Sequence, residues 1–317
     1  MNILLVYRSE LWSPPFYLEK ALKKKHNVNV YAYDFLKSPY WGDFKFKLPF
    51  YIPKGLPVSV QSVIKKFNKN FDLLVEVTTA GQYHLTGYKK MSIPTVLWAL
   101  DIYRFDQRKF ILWVKNDFDY VFTTQKNFVD IISTSHKSLP AERKGTGGGG
   151  WLTYACDPEI QKKFCLSKIY DVVFIGNTNA KIYPERIKML KLIGEKFNLK
   201  VFNGVYGEGM AKIYSQAKIV FNKSADGEIN MRVFEALSCG GLLLTDRLKQ
   251  EVGLEEIFED KKHLVLYDNG NDLLEKIDYY LEHETEREEI ALTGHREVVL
   301  KHTYDHRAEE ILRTVKR

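Results

Sequence analysis

Cysteine is scarce in this sequence and long hydrophobic runs are absent. The three cysteines among 317 residues, Cys156, Cys165 and Cys239, form no CxxC motif. An odd number argues against a disulfide framework, and the spacing argues against a zinc site. No segment approaches the roughly 18 consecutive apolar residues of a membrane span, and the first apolar run, residues 3–7, lacks the basic flank of a signal peptide. We therefore predict an unprocessed cytoplasmic protein, and leave open a peripheral contact with a membrane.

Glycine-rich phosphate loops are also missing. After the first apolar run the chain reads YRSELWSPPF, residues 7–16, with none of the glycines of a dinucleotide-binding turn. No GxxxxGK[ST] motif occurs anywhere in the chain. These absences argue against a nicotinamide-dependent or P-loop enzyme. We see no Asp-x-Asp that would hold a metal ion, and so we expect no metal site.

The composition is that of an ordinary globular protein, with 45% hydrophobic and 27% charged residues. The length suggests two domains. Residues 1–155 carry 22 Lys and Arg against 12 Asp and Glu, whereas the remainder carries 25 against 28. Such an asymmetry is typical of a half that meets an anion, although a solvated basic face explains it equally simply. Because no recognition motif accompanies the lysines, we predict no nucleic-acid partner.

Apolar runs of strand length alternate with segments of helical spacing in both halves of the chain. The predicted strands are residues 2–7, 28–33, 73–77, 95–99 and 120–123, then 172–175, 199–202, 219–222, 242–245 and 263–266. This order predicts an α/β protein of two Rossmann-like, doubly wound parallel-sheet domains that face a cleft. We place the domains at residues 1–155 and 156–317, with the option that the last helix packs back on the first domain. Thr285 with Glu288, and Thr303, are predicted helix caps.

Two segments interrupt the alternation. Residues 38–57 contain four prolines, which forbid a regular helix, and six aromatic residues beside lysines. We predict an ordered surface excursion that contacts the acceptor, the alternative being that its aromatic side chains cover the N-terminal sheet. The glycine run at 147–150 is either a flexible turn or a cloning remnant.

The window 225–245, ADGEINMRVFEALSCGGLLLT, contains the strongest functional signal. A loop with acidic residues leads into a helix for which Asn230 is a suitable N-cap, and the helix ends at two glycines. The free amides and the dipole of such a helix N-terminus favour phosphate. Arg232 and Glu235 lie three residues apart, on one face of this helix. The alternative is an ordinary surface Arg/Glu pair.

These residues resemble the nucleotide-sugar site of the GT-B glycosyltransferases, in particular the CgeB-like (spore maturation protein) branch of group 1. The core Asn-x-Arg-x-Phe-Glu of that branch is matched by Asn230, Arg232, Phe234 and Glu235. Further similar segments are IPTVLWALD at 93–101, WLTYACDPEI at 151–160, DVVFIGN at 171–177 and GHREVVLKHTYDHR at 294–307. One position departs from the family motif, because Gly227 stands where the first acidic residue is expected, with Asp226 and Glu228 on either side.

The resemblance implies transfer of a sugar, as in the hexosyltransferases, from a nucleoside diphosphate sugar to a hydroxyl acceptor. We expect a UDP-sugar as co-substrate and no cofactor; the acceptor is a glycan, a protein or a cell-surface polymer, and an anionic or membrane-associated one fits the basic half. The candidate catalytic residues are Asp101, Glu228 and Arg232. The candidate donor-binding residues are Gly176, Asn177, Lys181, Arg186, Gly204, Tyr206, Asp226, Asn230, Met231 and Glu235. Glu10 and His84 are candidates on the acceptor side, and both inversion and retention stay open.

Three other functions remain alternatives. A GT-B sugar-nucleotide epimerase would use a similar cleft. A glycoside hydrolase needs two carboxylates that flank the bond and no phosphate site, which the phosphate-ready helix disfavours. A basic module without catalytic activity would bind an anionic polymer or membrane through residues 1–155.

Overall fold

The computed structural model describes residues 1–8, 11–33, 58–78, 85–132 and 149–316. The chain divides into two compact units. Unit 1 comprises Met1–Thr153 together with Arg307–Arg317, and unit 2 comprises Tyr154–His306. None of the helices within the described ranges has the length and hydrophobicity of a membrane-spanning segment.

Unit 1 is built on a parallel sheet with the strand order β2-β1-β3-β4-β5-β6. Its strands are β1 (Asn2–Arg8), β2 (Asn27–Tyr33), β3 (Leu73–Thr78), β4 (Thr95–Ala99), β5 (Tyr120–Thr123) and β6 (Gly149–Trp151). Its helices include α1 (Pro14–Lys23), α2 (Val60–Phe67), α3 (Phe105–Val114) and α4 (Val129–Ile132). The central strands are buried along almost their whole length, as expected when both faces of a parallel sheet are covered. The five strands predicted in this half are all present.

The sixth strand, β6, corrects one prediction. The described part of the glycine run, Gly149 and Gly150, is not a flexible turn, because these residues pair in parallel with β5. A Cβ atom on Gly149 would lie 1.9 Å from the carbonyl oxygen of Val121. The close approach of the two strands therefore requires glycine at this position.

Unit 2 contains a second parallel sheet, with the order β11-β10-β9-β7-β8. Its strands are β7 (Tyr170–Ile175), β8 (Leu199–Phe202), β9 (Ala217–Asn222), β10 (Leu242–Asp246) and β11 (Val265–Tyr267). Its helices are α5 (Pro184–Lys196), α6 (Gly207–Ser215), α7 (Met231–Ser238), α8 (Leu254–Ile257), α9 (Gly270–Glu282) and α10 (Glu284–Lys301). The chain runs from β7 outward to β8 and then returns to the other side of β7 with β9. The carboxyl ends of β7 and β9 thus form a topological switch point, where open α/β sheets bind ligands.

The last helix, α11 (Tyr304–Val315), begins in unit 2 and continues into unit 1. Thr303 caps it as predicted, because its Oγ1 accepts a hydrogen bond from the backbone N–H of His306 at 3.4 Å. Within unit 1, Arg307 donates through Nε to the carbonyl oxygen of Thr153 at 2.9 Å. The predicted capping box at Thr285 is wrong, since α10 already begins at Glu284 and its N-cap makes no side-chain hydrogen bond.

Helix α10 packs against α7 at Gly294, which opens the tail segment singled out in the sequence. A Cβ atom there would lie 2.0 Å from the carbonyl oxygen of His263 and 2.8 Å from Cδ2 of Leu237. Gly294→Ala is therefore expected to lower the free energy of unfolding by about 1 to 3 kcal/mol, measured by urea denaturation. Gly194→Ala on α5 is the matched control, because its Cβ would meet Leu199 at an ordinary 3.8 Å. Equal stability of the two variants would show that α10 has room to shift.

Candidate functional site

Arg232, in the first turn of α7, reaches back across the carboxyl end of β7. Its Nε donates to the carbonyl oxygen of Ile175 at 2.9 Å, and its Nη1 donates to Oδ1 of Asn222, the last residue of β9, at 2.6 Å. The guanidinium carbon lies 4.5 Å from the centroid of the Phe174 ring. The side chain is thus held by both strands of the switch point and by an aromatic face.

Gly176, the residue after β7, makes room for this guanidinium. Its φ of 154° is rare for a residue with a side chain. A Cβ atom at this position would lie 2.3 Å from Nη2 of Arg232. The predicted site residue Gly176 is therefore a steric requirement for the observed position of Arg232.

Arg186, near the start of α5, lies against the same aromatic ring. Its Nη1 donates to the carbonyl oxygen of Asn177 at 3.2 Å, and its Nη2 donates to that of Lys223 at 3.0 Å. The guanidinium carbon is 4.1 Å from the centroid of the Tyr183 ring and 5.5 Å from that of Phe174. Burial and then the nearby charge of Arg232 lower the pKa of Arg186, which is only 6% exposed.

We call Arg186, Arg232, Asn222 and Phe174 the arginine site. Among the described residues, neither of its two guanidinium groups forms a salt bridge with a carboxylate. Their hydrogen bonds go to backbone carbonyl groups and to one neutral amide, and the hydroxyl of Tyr214 is a further partner of Arg232. Because two like charges in a half-buried place are costly without an anion, the arginine site is suited to bind one.

The carboxylates next to the arginine site make their hydrogen bonds to other groups, although the charges of Glu228 and Asp246 also act on Arg186. Asp246 at the end of β10 pairs with Nζ of Lys223 at 2.8 Å and accepts from the backbone N–H of Ser224 at 2.9 Å. Glu228 accepts from the backbone N–H groups of Ala225 at 2.9 Å and Asp226 at 2.6 Å. Burial raises the pKa of Glu228, which is 5% exposed. Glu228 thus orders the loop before α7.

The N-terminus of α7 directly follows this loop. Asn230 occupies the predicted N-cap position with an extended backbone, but its side chain makes no hydrogen bond to the helix. Its Nδ2 donates instead to Oδ1 of Asn222 at 3.3 Å. The side chain of Asn230 therefore does not cap the first-turn amides of α7.

Glu235 lies one turn further along α7 and is half-buried. Its Oε1 accepts a hydrogen bond from Nε2 of Gln161 at 3.2 Å. Burial raises the pKa of Glu235 to about 7, although the charge of Arg232 opposes the shift. The alternative of a surface Arg/Glu pair is wrong, because both side chains are half-buried and each is held by a different partner.

The other candidate donor residues border the same sheet edge. Asn177 and Lys181 are exposed in the loop after β7, where Oδ1 of Asn177 accepts from the backbone N–H of Asn179 at 2.8 Å. Gly204 and Tyr206 lie between β8 and α6, and Tyr206 is 48% exposed. Asp226 is exposed in the loop before α7, and Met231 is the first residue of that helix.

The chain is similar to known proteins in part of its sequence and in its fold. Residues 164–313 match a family profile described as "Glycosyl transferase-like". Sucrose-phosphate synthase from Thermosynechococcus elongatus superposes with a TM-score of 0.66 and 11% identity, over 99% of this chain and 98% of that one. Anabaena HepE, solved with UDP and glucose, superposes with a TM-score of 0.62 and 13% identity, over 100% of this chain and 99% of that one. T4 phage BGT, solved with UDP-glucose, superposes with a TM-score of 0.58 and 12% identity, over 99% of each chain. This chain has the GT-B fold. No curated protein sequence matches it.

The GT-B fold confirms the predicted α/β class with two Rossmann-like parallel sheets. Membership in the CgeB-like branch stays a prediction. Gly227 occupies the position of the first acidic residue of the family motif; it has a φ of 75°, and no atom would lie within 4 Å of a Cβ added there. The acidic neighbours differ in role, since Glu228 is turned into the loop whereas Asp226 is exposed.

The candidate residues of the first GT-B sheet are described only in part. Asp101 follows β4 and adopts a left-handed conformation with a φ of 53°, a conformation that Asp tolerates better than most residues. Glu10, His84 and the segment 38–57 lie outside the described residues. Their predicted acceptor roles stay predictions.

Three residues of the site were missed in the sequence. Asn222 is a polar residue at the carboxyl end of an otherwise apolar strand, and this position could have identified it. Phe174 looks like any core residue of a buried strand, and Gln161 lies in a segment without helix or strand pattern. Within the described ranges, no group of three or more His, Cys, Asp or Glu residues is arranged to hold a metal ion.

Proposed function

We propose that this protein is a glycosyltransferase that uses a nucleoside diphosphate sugar, with UDP-sugars as the expected donors, and a hydroxyl acceptor. The observation that carries the proposal is the arginine site: two guanidinium groups without carboxylate partners, next to an uncapped helix N-terminus. The family profile covers this whole region, and HepE and T4 phage BGT were solved with UDP or UDP-glucose. These matches support the proposal.

The chemistry of sugar transfer requires such a site. Cleavage of the bond between the sugar and the diphosphate leaves negative charge on the terminal phosphate. In our proposal Arg232, Arg186 and the first-turn amides of α7 stabilise this charge, and Lys181 in the adjacent loop adds to them. Because these groups supply fixed positive charge, the proposed transfer does not require a metal ion for this step.

We propose the following roles for the remaining residues. Glu235 accepts hydrogen bonds from the ribose hydroxyls, and Glu228 holds the loop that presents Asp226, Asn230 and Met231.

The base is bordered by Gly204 and Tyr206 on one side and Asn177 on the other. Asp101, with Glu10 and His84, is proposed for the acceptor side, as base or acceptor ligand. The proposed location is the cytoplasm.

A thermal-shift experiment with UDP, ADP, GDP and uridine tests the donor site directly. The matching nucleoside diphosphate at about 100 times its Kd is expected to stabilise the protein by about 2.7 kcal/mol. Uridine is expected to stabilise it much less, because it lacks the phosphates that the arginines bind. Equal shifts with uridine and UDP, or no shift with any nucleoside diphosphate, would contradict the proposal.

A further inference from the structure

Gln161 is buried, and two hydrogen bonds of its side chain and one of its backbone carbonyl group fix its position. Its side chain is 0% exposed, and it lies in the irregular segment before β7. Its Oε1 accepts a hydrogen bond from the backbone N–H of Asp157 at 2.8 Å. Its own carbonyl oxygen accepts from the hydroxyl of Ser238 on α7, so the segment is fastened to that helix. These bonds hold Gln161 in place independently of any ligand.

The orientation of the Gln161 amide follows from these contacts. Because the N–H of Asp157 can only donate, the atom that faces it must be the amide oxygen. The opposite atom is then Nε2, which points at Oε1 of Glu235 at 3.2 Å. An N–H donor that is fixed in this way stabilises the ionised carboxylate more than the protonated acid, because the charge strengthens the hydrogen bond.

From this geometry we infer that Gln161 is a positioning residue, which fixes one oxygen of Glu235 and favours the ionised form of the carboxylate, the form that binds the ribose hydroxyls of the donor. The inference rests on the proposed function. Ribose hydroxyls donate hydrogen bonds, and an ionised carboxylate accepts them with both oxygens, whereas a protonated one must use one oxygen as a donor. With Oε1 held by Gln161, the other oxygen and the remaining lone pairs are oriented for the ligand.

The surroundings of Glu235 make such help necessary. Burial disfavours its charge, and the pKa of about 7 places the titration in the physiological range. The titratable groups that interact with it are Arg232 on α7, Cys239 directly after α7 and Tyr214 on α6. Arg232 is the cation in this set, and its guanidinium is engaged with β7 and Asn222. Gln161 is therefore the neutral donor in contact with the carboxylate.

The test is the pH dependence of UDP affinity, measured by isothermal titration calorimetry from pH 5.5 to 9. The wild-type affinity is expected to rise with pH and to level off above a midpoint near 7. Gln161→Leu removes the donor at similar size, so the midpoint is expected to move up by about one pH unit, with affinity near wild type at pH 9. Gln161→Glu keeps an acceptor for Asp157 but adds a second carboxyl group, and is expected to move the midpoint at least as far.

Ser238→Ala is the matched control. It removes the hydrogen bond that fastens the segment to α7 but leaves the amide donor, so its midpoint is expected to stay at the wild-type value. Circular dichroism checks that each variant is folded. If Gln161→Leu and Gln161→Glu bind UDP with the wild-type midpoint, or if the wild type binds UDP without a midpoint near 7, the positioning role is wrong. If the wild type binds no nucleoside diphosphate at all, the proposed function itself fails.

Discussion

Replacement of Arg232 with alanine is expected to lower kcat/KM for transfer from a UDP-sugar by about 100- to 1,000-fold, or about 2.7 to 4 kcal/mol. The guanidinium is held at the carboxyl end of β7 by Ile175 and Asn222. It is therefore already oriented when charge develops on the leaving phosphate. Uridine binding should change much less than UDP binding, since uridine carries no phosphate. Both quantities are measured by steady-state kinetics and calorimetry on the same preparations.

Two further variants make this prediction specific. Arg232→Lys keeps the positive charge but lacks the planar fork that contacts both strands, so it is expected to recover only a small part of the loss. Lys188→Ala removes an exposed cation from α5, two residues after Arg186, and is expected to leave transfer unchanged. A similar loss in Lys188→Ala would assign the effect to overall charge. Equal losses for uridine and UDP in Arg232→Ala would show that Arg232 does not meet the phosphates.

Much of the fold could be predicted because its strands are short apolar runs with helical segments between them. In unit 2 every predicted strand and the helix at Met231–Ser238 are present, since both local pattern and burial favour the same elements. The pattern did not predict β6, because glycines carry no hydrophobic signal and the close approach to Val121 exists only in the folded sheet. The start of α10 was misplaced because a Thr-x-x-Glu spacing also occurs inside helices.

The candidate site could be predicted only where its functional residues lie close together in the sequence. Asn230, Arg232 and Glu235 share one helix, so their spacing places them together. The approach of Arg186 to Arg232 depends on the Phe174 ring, and that of Gln161 to Glu235 depends on a segment without regular structure. Such contacts between distant residues have no local pattern. The pKa of Glu235 depends on burial and was likewise not accessible from spacing.

Glu235→Gln is expected to have two opposite effects, one on stability and one on donor binding. The pKa of Glu235 is raised from 4.5 to about 7 in the folded protein, so the folded state holds a proton that the unfolded chain releases. As the pH rises from 4.5 through 7, the wild type therefore loses stability, by about 1 to 3 kcal/mol. Glutamine cannot ionise and avoids this loss. The variant is expected to be more stable than the wild type at pH 8 and about equally stable at pH 4, measured by urea denaturation.

Donor binding should change in the other direction. Glutamine offers the ribose hydroxyls a neutral acceptor in place of a charged one, so UDP affinity at pH 8 is expected to fall by about 1.5 to 3 kcal/mol, or roughly 10- to 150-fold. The wild-type affinity should decline toward that of the variant as the pH falls below 7, because the carboxylate becomes protonated, whereas the variant should show little pH dependence over this range. Glu297→Gln on α10 is a suitable control, because its carboxylate shifts the other way: burial disfavours its charge, but the hydrogen bond and charge of Lys301 and the nearby histidines outweigh burial and lower the pKa of Glu297. A Glu235→Gln protein that is less stable at pH 8 and binds UDP normally would make Glu235 a structural residue of α7. Stabilisation together with weakened binding would instead show that the buried carboxylate of Glu235 lowers the free energy of unfolding but strengthens donor binding.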